Sequence, residues 1–265
     1  MVMMNTGKST RIRPFDLGFN RYLQQSPGLS KFAGHYRFKM KVTEHIKDAR
    51  DTLISFEILP PLKGKTINSI YEHLDPLMEF KPSFINVTYH RSEHVFKKRP
   101  DGGFEKVVVR KRPGTESICA AILNKYNVDT VPHLICGGFN INETEDALIN
   151  LHYLGIDNVL VLRGDSAKNE MSFEPEPGGH KYASDLLKQV VDLNNGIYLE
   201  EDLRESHKTA FCIGVAGYPE KHFEAPNLDT DLKNLKKKVD LGADYIITQM
   251  FFDNNKFHEF VKRCR

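Results

Sequence analysis

The sequence predicts an α/β protein built as a (β/α)8 TIM barrel that is truncated after its sixth βα unit. Short β-branched or apolar runs alternate with amphipathic helical stretches from residue 50 onward, which indicates a parallel sheet covered by helices. Polar residues stand at or near the end of each apolar run, where a barrel places its active site. No G-x-G-x-x-G follows the first run, so the dinucleotide fingerprint of an open doubly wound sheet is absent.

Six runs are expected to form parallel strands, and the stretches between them are expected to form helices. Pro76 is expected to kink or split the first helical stretch, and Gly155 to close the third. The strand runs are 52–58, 84–89, 130–136, 158–164, 211–217 and 245–252, and the helical stretches are 70–80, 116–126, 143–155, 183–194 and 228–242.

Six strands do not close a barrel. Two βα units, about 50 residues, would be missing after Arg265, and the segment 257–265 is typical of a sixth helix that is cut short. The residues alone leave two possibilities open, a fragment of a barrel and an open sheet.

A β-hairpin is predicted as an insertion after the second strand run, at 94–114. Its residues alternate around the turn sequence Pro-Asp-Gly-Gly at 100–103. The basic face of this hairpin is interpreted as a solvated surface, with a place at the edge of the site as the alternative.

Composition restricts the class of protein. The chain has 265 residues, 40% of them hydrophobic and 27% charged, with a net charge of +2, which is ordinary for a globular protein and argues against a strongly basic nucleic-acid-binding protein. No apolar run is long enough to cross a bilayer, so no membrane partner is expected. The cysteines are widely spread with no C-x-x-C pair, which predicts buried thiols in the cytoplasm and no metal site; they are Cys119, Cys136, Cys212 and Cys264.

The first 39 residues differ from the rest. They carry seven Lys and Arg but one acidic residue, Asp16, and show little apolar periodicity. We interpret 1–39 as a disordered leader or an extension upstream of a natural start at Met40, and 40–265 as the catalytic barrel domain. A basic targeting or docking arm is the alternative.

Several polar side chains occupy unexpected positions at strand ends. Glu57 is the single carboxylate in the apolar segment SFEILPP, which makes it an accident, a salt-bridged core residue or an acid with a raised pKa. Gln249 interrupts the last apolar run, and its amide could hold a ligand amide. Arg163 and Asp165 follow the fourth run, where a local ion pair between them is the alternative to a role in binding.

Two segments could bind a ring and its phosphates. Tyr218 and His222 lie in the glycine-containing loop 214–225, where the tyrosine can stack on a ring and the histidine can reach a phosphate. The lysines of 233–238 either form a solvated helix face or bind a diphosphate. His133, taken alone, is equally well explained as a core histidine.

Taken together, these segments resemble the methylenetetrahydrofolate reductase family, in the bacterial form that is a catalytic domain alone. The resemblance covers residues 40–265. It rests on SFEILPP, FINVTYH, VPHLIC, VLRGD, YASDL, GVAGYPEKHFEA and LKKKVDLGADYIITQMFFD, which occur in this order.

The resemblance implies an FAD-containing barrel that reduces 5,10-methylenetetrahydrofolate to 5-methyltetrahydrofolate for methionine synthesis. The reductant is NADH or NADPH, and the implied reaction is ping-pong, because hydride passes first to FAD and then to the folate. The resemblance also implies a homo-oligomer whose partners are the folate and the nicotinamide dinucleotide.

The same resemblance assigns roles to residues. It makes Glu57 the general acid that opens the imidazolidine ring of the folate, Asp165 a residue that tunes the flavin and contacts the pterin, and Gln249 a contact of both substrates. Thr88 would meet FAD and the nicotinamide. The FAD-binding positions are Thr88, Tyr89, His133, Arg163, Gly164, Asp165, Ala183, Tyr218, His222, Ala225, Asp231, Asn234, Lys237 and Lys238.

Three other classes of protein were compared with this interpretation. A flavin barrel of the proline dehydrogenase type shares much of the pattern, but SFE in the first strand and the VLRGD turn argue against it. A flavin-free barrel fragment, inactive or completed by a partner, is the non-enzymatic alternative. A phosphate-binding aldolase barrel is discounted because no strand carries a suitably placed Schiff-base lysine.

Overall fold

The structure is a computed structural model that describes residues 3–5, 39–166 and 172–265. Within this part of the chain, strands and helices alternate after Asp48, except for three successive strands between Phe84 and Val109. The strands are β1 (Met3–Asn5), β2 (Ser55–Ile58), β3 (Phe84–Val87), β4 (Glu93–Lys98), β5 (Phe104–Val109), β6 (Asp129–Ile135), β7 (Asn158–Leu162), β8 (Cys212–Gly217) and β9 (Tyr245–Thr248). The helices are α1 (Val42–Asp48), α2 (Asn68–Leu74), α3 (Thr115–Tyr126), α4 (Ile141–Tyr153), α5 (Ala183–Asn194), α6 (Leu228–Leu241) and α7 (Asn254–Cys264), with a 3-10 helix at Asp75–Phe80.

Seven of the described strands form one sheet, which is parallel except for an added edge strand. The order is β1-β9-β8-β7-β6-β3-β2. Strands β2, β3, β6, β7, β8 and β9 are parallel to one another. The six predicted βα units and their parallel order are therefore confirmed. The sheet is a half-barrel, with β2 at one end and β1, antiparallel to β9, at the other. Further βα units beyond the chain stay a prediction.

Two further features lie beside this sheet. Residues 3–5 form β1 against β9, whereas the whole leader 1–39 was expected to be disordered; residues 6–38 lie outside the described residues. β4 and β5 form a separate antiparallel hairpin after β3. Among the described residues, no helix is both long and apolar enough to cross a membrane.

Element boundaries differ from the predicted runs where polar or cyclic residues intervene. α2 ends at Leu74 and a 3-10 helix begins at Asp75, because Pro76 lacks the N–H that would continue the helix. β9 ends at Thr248, so Gln249 follows the strand and does not interrupt it. Gln249 thus stands just beyond the strand that positions it.

The two faces of the sheet carry separate apolar clusters. Alternate strand residues pack against the helices on the outer face, whereas Phe84, Val131, Leu160 and Tyr245 form the inner cluster. Gly214 lies on the inner face in register with Tyr245, and a Cβ there would collide with the tyrosine ring. Tyr245 therefore fills the space that a side chain at position 214 would occupy.

The segment 40–48, which includes α1, closes the amino-terminal end of this inner cluster. The Val42 N–H donates to Oδ1 of Asn158 at 2.8 Å, and Nδ2 of Asn158 donates to the Met40 carbonyl at 3.0 Å. Nε2 of His45 in α1 lies 2.8 Å from Oδ2 of Asp129, the first residue of β6. Because these polar groups pair with one another, α1 covers the strand ends while the groups that it brings together keep hydrogen-bond partners.

Asn158→Ala should destabilise the domain by about 2–4 kcal/mol, because a buried donor and a buried acceptor of the backbone lose their partners. Urea denaturation measures the free energy of unfolding. Asn195→Ala is the control, since the Asn195 amide donates to the Val191 carbonyl on the exposed surface of α5. Equal losses for the two variants would contradict a sealing role for Asn158.

Candidate active site

A cleft of about 1160 Å³ lies at the carboxyl ends of the parallel strands. Polar side chains reach it from successive strand ends, while strands β6 to β9 supply an apolar floor that includes Ile135, Leu160, Leu162 and Ile247. Ten of the sequence-predicted site residues line this cleft: Glu57, Thr88, Tyr89, His133, Arg163, Gly164, Asp165, Tyr218, His222 and Gln249. The structure thus brings together residues separated by nearly 200 positions in the sequence.

Glu57 and His133 approach each other at one wall of the cleft. Their nearest atoms, Oε2 of Glu57 and Nε2 of His133, are 3.7 Å apart, which is too long for a hydrogen bond. Burial lowers the pKa of His133 to about 4, with a smaller contribution from His90. Burial also raises the pKa of the Glu57 carboxyl. Both shifts favour the neutral forms, so this contact is not an ion pair near neutral pH.

Glu57 is less enclosed than its sequence neighbours suggested. Its side chain is 48% exposed, although the apolar segment predicted a buried strand. The physical reason is the position of β2 at the end of the sheet, where no described strand covers its far side. The carboxyl group faces the open cleft, and its pKa is raised by partial burial without a paired base.

Arg163 makes an ion pair with Glu224 and not with Asp165, the partner that was considered as the alternative to a role in binding. Its guanidinium donates two hydrogen bonds to the carboxylate of Glu224, at 2.5 and 2.7 Å, and it lies over the Phe173 ring. Glu224 follows β8, so this pair links the ends of β7 and β8. The interpretation of a local ion pair between Arg163 and Asp165 is therefore wrong, and Asp165 lines the cleft.

Gly164 provides the backbone conformation that turns Asp165 toward the cleft. Its φ angle is +85°, in the left-handed region that favours glycine. A Cβ at this position would lie 3.2 Å from two side-chain carbons of Ile135. Both the conformation and the close approach to β6 therefore require glycine here.

The loop after β8 is held by hydrogen bonds within it and by one to α6. The rings of Tyr218 and His222 meet edge to face with centroids 4.7 Å apart. Nζ of Lys221 donates to the carbonyls of His222 and Ala225, at 2.9 and 2.5 Å, and the His222 N–H donates to Asp231 at 2.8 Å. Burial lowers the pKa of His222, which favours a neutral imidazole at the cleft wall.

Six predicted cofactor residues do not line the cleft in the described part of the chain. Ala183 begins α5, and Asn234 and Lys237 are exposed on α6. Lys238 donates through Nζ to the Ala216 carbonyl at 2.7 Å, and burial lowers the pKa of Lys238 to about 8. Their binding roles stay predictions, and so do those of Ala225 and Asp231, which support the loop after β8.

Thr88, Tyr89 and Gln249 are positioned by the backbone at their strand ends. The Thr88 hydroxyl donates to the Ile58 carbonyl at 3.3 Å, and the Tyr89 ring packs on Phe139 with centroids 4.8 Å apart. Oε1 of Gln249 accepts from the Met250 N–H at 2.9 Å. This bond leaves the donor end of the Gln249 amide available to a ligand.

Several residues at or beside the cleft were not identified as site residues from the sequence. Glu224 does not line the cleft but pairs with Arg163, which does; it lies within a segment that was singled out, and only this pairing reveals its part. Phe96, Lys106, Lys111 and Arg112 come from the hairpin, whose basic face was interpreted as solvated. Among the described residues, no group of three or more His, Cys, Asp and Glu is arranged to hold a metal ion.

The fold and the cleft define a barrel-type parallel α/β protein with its candidate active site at the carboxyl ends of the strands. The chain belongs to the methylenetetrahydrofolate reductase family, whose model matches residues 41–265. The family predicted from the sequence segments is therefore confirmed.

Individual relatives match this chain over only part of their own length. Methylenetetrahydrofolate reductase 2 of Saccharomyces cerevisiae is 33% identical over 85% of this chain and 34% of its own length. Methylenetetrahydrofolate reductase (NADH) 1 of Arabidopsis thaliana is 34% identical over 85% and 35%. The 5,10-methylenetetrahydrofolate reductase of Escherichia coli is 33% identical over 80% and 59%. The chain thus spans about a third of the yeast and plant relatives and just under three fifths of the bacterial one.

Gly164→Ala should lower the free energy of unfolding by about 1–2 kcal/mol more than Gly178→Ala does, as measured by urea denaturation. Both glycines have positive φ angles, +85° and +72°, so both variants carry the strain of the left-handed region. Only at Gly164 does the new Cβ also approach a side chain, since nothing lies within 4 Å at Gly178. Equal destabilisation would show that the approach to Ile135 does not constrain the turn.

Proposed function

We propose that this chain carries the site at which a methylenetetrahydrofolate reductase reduces 5,10-methylenetetrahydrofolate to 5-methyltetrahydrofolate. The reductant is a nicotinamide dinucleotide, NADH or NADPH, and FAD is the cofactor of a ping-pong reaction. Family membership supports the folate reduction. The observation that carries the residue-level proposal is the carboxyl group of Glu57, which has a raised pKa and faces the cleft.

The residues of the cleft suit the ring of a flavin. The floor is apolar, and Nε2 of His133 is a buried atom without a hydrogen-bond partner among the described residues. A buried polar atom of this kind indicates that a bound group completes it. We propose that His133, Thr88, Tyr218 and Asp165 hold the ring. When bound, FAD supplies the hydride chemistry, since it accepts hydride from the nicotinamide and donates it to the folate.

Glu57 has the properties of a general acid. The product carries its methyl group on N5, so the bond between the methylene carbon and N10 must break. A proton donated to N10 by Glu57 allows that bond to open and leaves an N5 iminium ion, whose carbon accepts the hydride. A carboxyl group can donate this proton near neutral pH only if its pKa is raised, and partial burial acts in that direction.

The neighbouring side chains orient the substrate. Asp165 can accept hydrogen bonds from the amino group and ring N–H of a pterin, and Gln249 can donate through its amide to a ring carbonyl. Neutral His133 next to Glu57 does not compete for the proton, because its pKa of about 4 keeps the imidazole uncharged.

Glu57→Gln should retain reduction of the flavin by NADH and lose folate reduction by about 10²–10⁴-fold, the usual contribution of general acid catalysis. Anaerobic stopped-flow absorbance measures the two half-reactions separately on the flavin-containing protein.

Glu176→Gln is the control for this variant, because Glu176 also lines the cleft but has no assigned role. It should leave both half-reactions unchanged. Folate reduction at the full rate by Glu57→Gln would contradict the proposed acid, and wild-type protein that neither binds flavin nor reduces folate would contradict the proposed function.

The rate of the folate half-reaction should decrease as pH increases through the pKa of Glu57. Burial raises that pKa, so the protonated form persists at higher pH than for an ordinary glutamate. Above the pKa, the rate should fall by about tenfold per pH unit, because only the acid form donates the proton. The same pH series on Glu57→Gln should lack this decrease, and a wild-type profile identical to that of Glu57→Gln would contradict the assignment.

A further inference from the structure

A buried asparagine lies next to Glu57 on the inner face of the sheet. Asn86 in β3 is paired in register with Glu57 in β2, and neighbouring strands of a sheet are about 4.8 Å apart. Phe84, two residues earlier on β3, belongs to the inner cluster, and alternate residues of a strand share a face. The Asn86 side chain therefore points to the inner face, on the side from which Glu57 reaches the cleft.

The side-chain amide of Asn86 is buried and unpaired. Asn86 is 0% exposed and does not line the cleft. Among the described residues, neither Nδ2 nor Oδ1 of Asn86 has a hydrogen-bond partner. An apolar side chain of the same size would occupy this position at a lower cost in free energy. A buried amide of this kind therefore indicates a role that an apolar residue does not fulfil.

The contact between Glu57 and His133 passes over Asn86. β3 lies between β2 and β6 in the sheet, so side chains from those two strands meet over the inner face of β3. Oε2 of Glu57 is 3.7 Å from Nε2 of His133. Val131, which is in register with Asn86, precedes His133 by two residues and shares its face. The carboxyl group of Glu57 thus lies between the Asn86 amide and the open cleft.

We propose that Asn86 is a positioning residue for Glu57, whose protonated carboxyl group pairs with the Asn86 amide through two hydrogen bonds. Nδ2 donates to one carboxyl oxygen, and Oδ1 accepts from the O–H of the other until N10 of the folate accepts that proton instead. This proposal rests on the proposed function. Because the Glu57 side chain is 48% exposed, it has space to rotate toward the amide.

Glu57 matches the amide better than the other neighbouring groups do. An amide offers a donor and an acceptor side by side, and a protonated carboxyl group offers an acceptor and a donor at the same spacing. Nε2 of His133 is a single nitrogen with one role at a time, so it satisfies one end of the amide alone. A bound ligand meets the residues that line the cleft, and Asn86 is not one of them.

The surroundings of Glu57 favour the protonated form that this pairing requires. Burial raises the pKa of Glu57, and His133 stays neutral because burial lowers its pKa to about 4. Other titratable or charged residues line the cleft from the segment after β3 and from the hairpin. They do not contribute to the pKa shift of Glu57, and they are Tyr89, His90, Arg91, Glu93, Lys106, Lys111 and Arg112.

Asn86→Leu removes the amide with little change in side-chain volume. It should slow the folate half-reaction by about 10–100-fold, because the acid is no longer held in place. Reduction of the flavin by NADH should not change. The urea concentration at the midpoint of unfolding should not decrease, since an unpaired buried amide is replaced by an apolar group. Anaerobic stopped-flow absorbance and urea denaturation measure these quantities.

Thr130→Val is the matched control, because it also replaces a buried polar side chain of the sheet by an apolar one of similar size. Thr130 is 3% exposed and directly precedes Val131 of the inner cluster, so its side chain points to the outer face, away from Glu57. Both half-reactions should be unchanged in this variant. A loss of folate reduction equal to that of Asn86→Leu would overturn the proposal.

The double variant Asn86→Leu/Glu57→Gln shows whether Asn86 acts through Glu57. Its folate half-reaction should be as slow as that of Glu57→Gln alone, because a residue that positions an acid has no effect once the acid is absent. Losses that multiply in the double variant overturn the proposal. An unchanged folate rate in Asn86→Leu, or equal losses in its two half-reactions, also overturns it.

Asn86→Asp tests the contact by charge while the shape of the side chain is kept. Two neighbouring carboxyl groups retain a proton to higher pH than one does, so the decrease of the folate half-reaction with pH should move upward by about one pH unit or more. A structural defect alone would lower the rate at every pH without this movement. An unshifted profile overturns the contact, even where Asn86→Leu does not fold.

The NMR signal of the Asn86 side-chain amide reports the pairing without catalysis. In 15N-labelled protein the Nδ2 signal, identified by its absence in Asn86→Asp, should shift as Glu57 titrates, and this shift should be absent in Glu57→Gln. A signal that does not respond overturns the pairing alone. Wild-type protein that reduces no folate contradicts the proposed function, and the amide signal then still decides whether Asn86 pairs with Glu57.

Discussion

The side-chain amide of Asn158 holds the segment that carries α1 against the inner face of the sheet. This contact closes one end of the sheet, so that the candidate site is confined to the other end. The amide pairs with the backbone at Met40 and Val42, so α1 covers the amino-terminal ends of the strands. In a parallel sheet the opposite ends all meet at one edge. Because one end of the inner face is sealed, the polar residues that follow the strands face a single open cleft at the other end.

Burial decreases along the inner face toward this cleft, and the ionisation of its residues follows. Tyr245 and Phe84 are fully buried in the apolar layer, His133 lies just above it, and Glu57 stands at the mouth. Burial keeps His133 neutral by lowering its pKa to about 4 and favours the protonated form of Glu57 by raising its pKa. One physical cause, desolvation, thus shifts the pKa values of both neighbouring groups in the directions that favour their uncharged forms.

The sequence predicted what depends on local pattern and missed what depends on distant contacts. Alternating apolar runs indicated the six parallel strands, and residues at their ends indicated the cleft. The partner of Arg163 was not predictable, because Glu224 is 61 positions away and joins it only through the adjacency of β7 and β8. The exposure of Glu57 was overlooked for a similar reason, since an apolar run does not reveal whether its strand lies at the end of a sheet.

The cations at the cleft are arranged so that they do not oppose an acid role for Glu57. A nearby positive charge would lower the pKa of a carboxyl group and remove the proton that it has to donate. Lys111 and Arg163 are each paired with a glutamate, Glu93 and Glu224. Burial is the cause that shifts the pKa of Glu57, and the direction is upward. Arg112, which donates to the Pro60 carbonyl, keeps its charge on this wall, but it does not contribute to the pKa shift of Glu57, so desolvation favours the protonated form there.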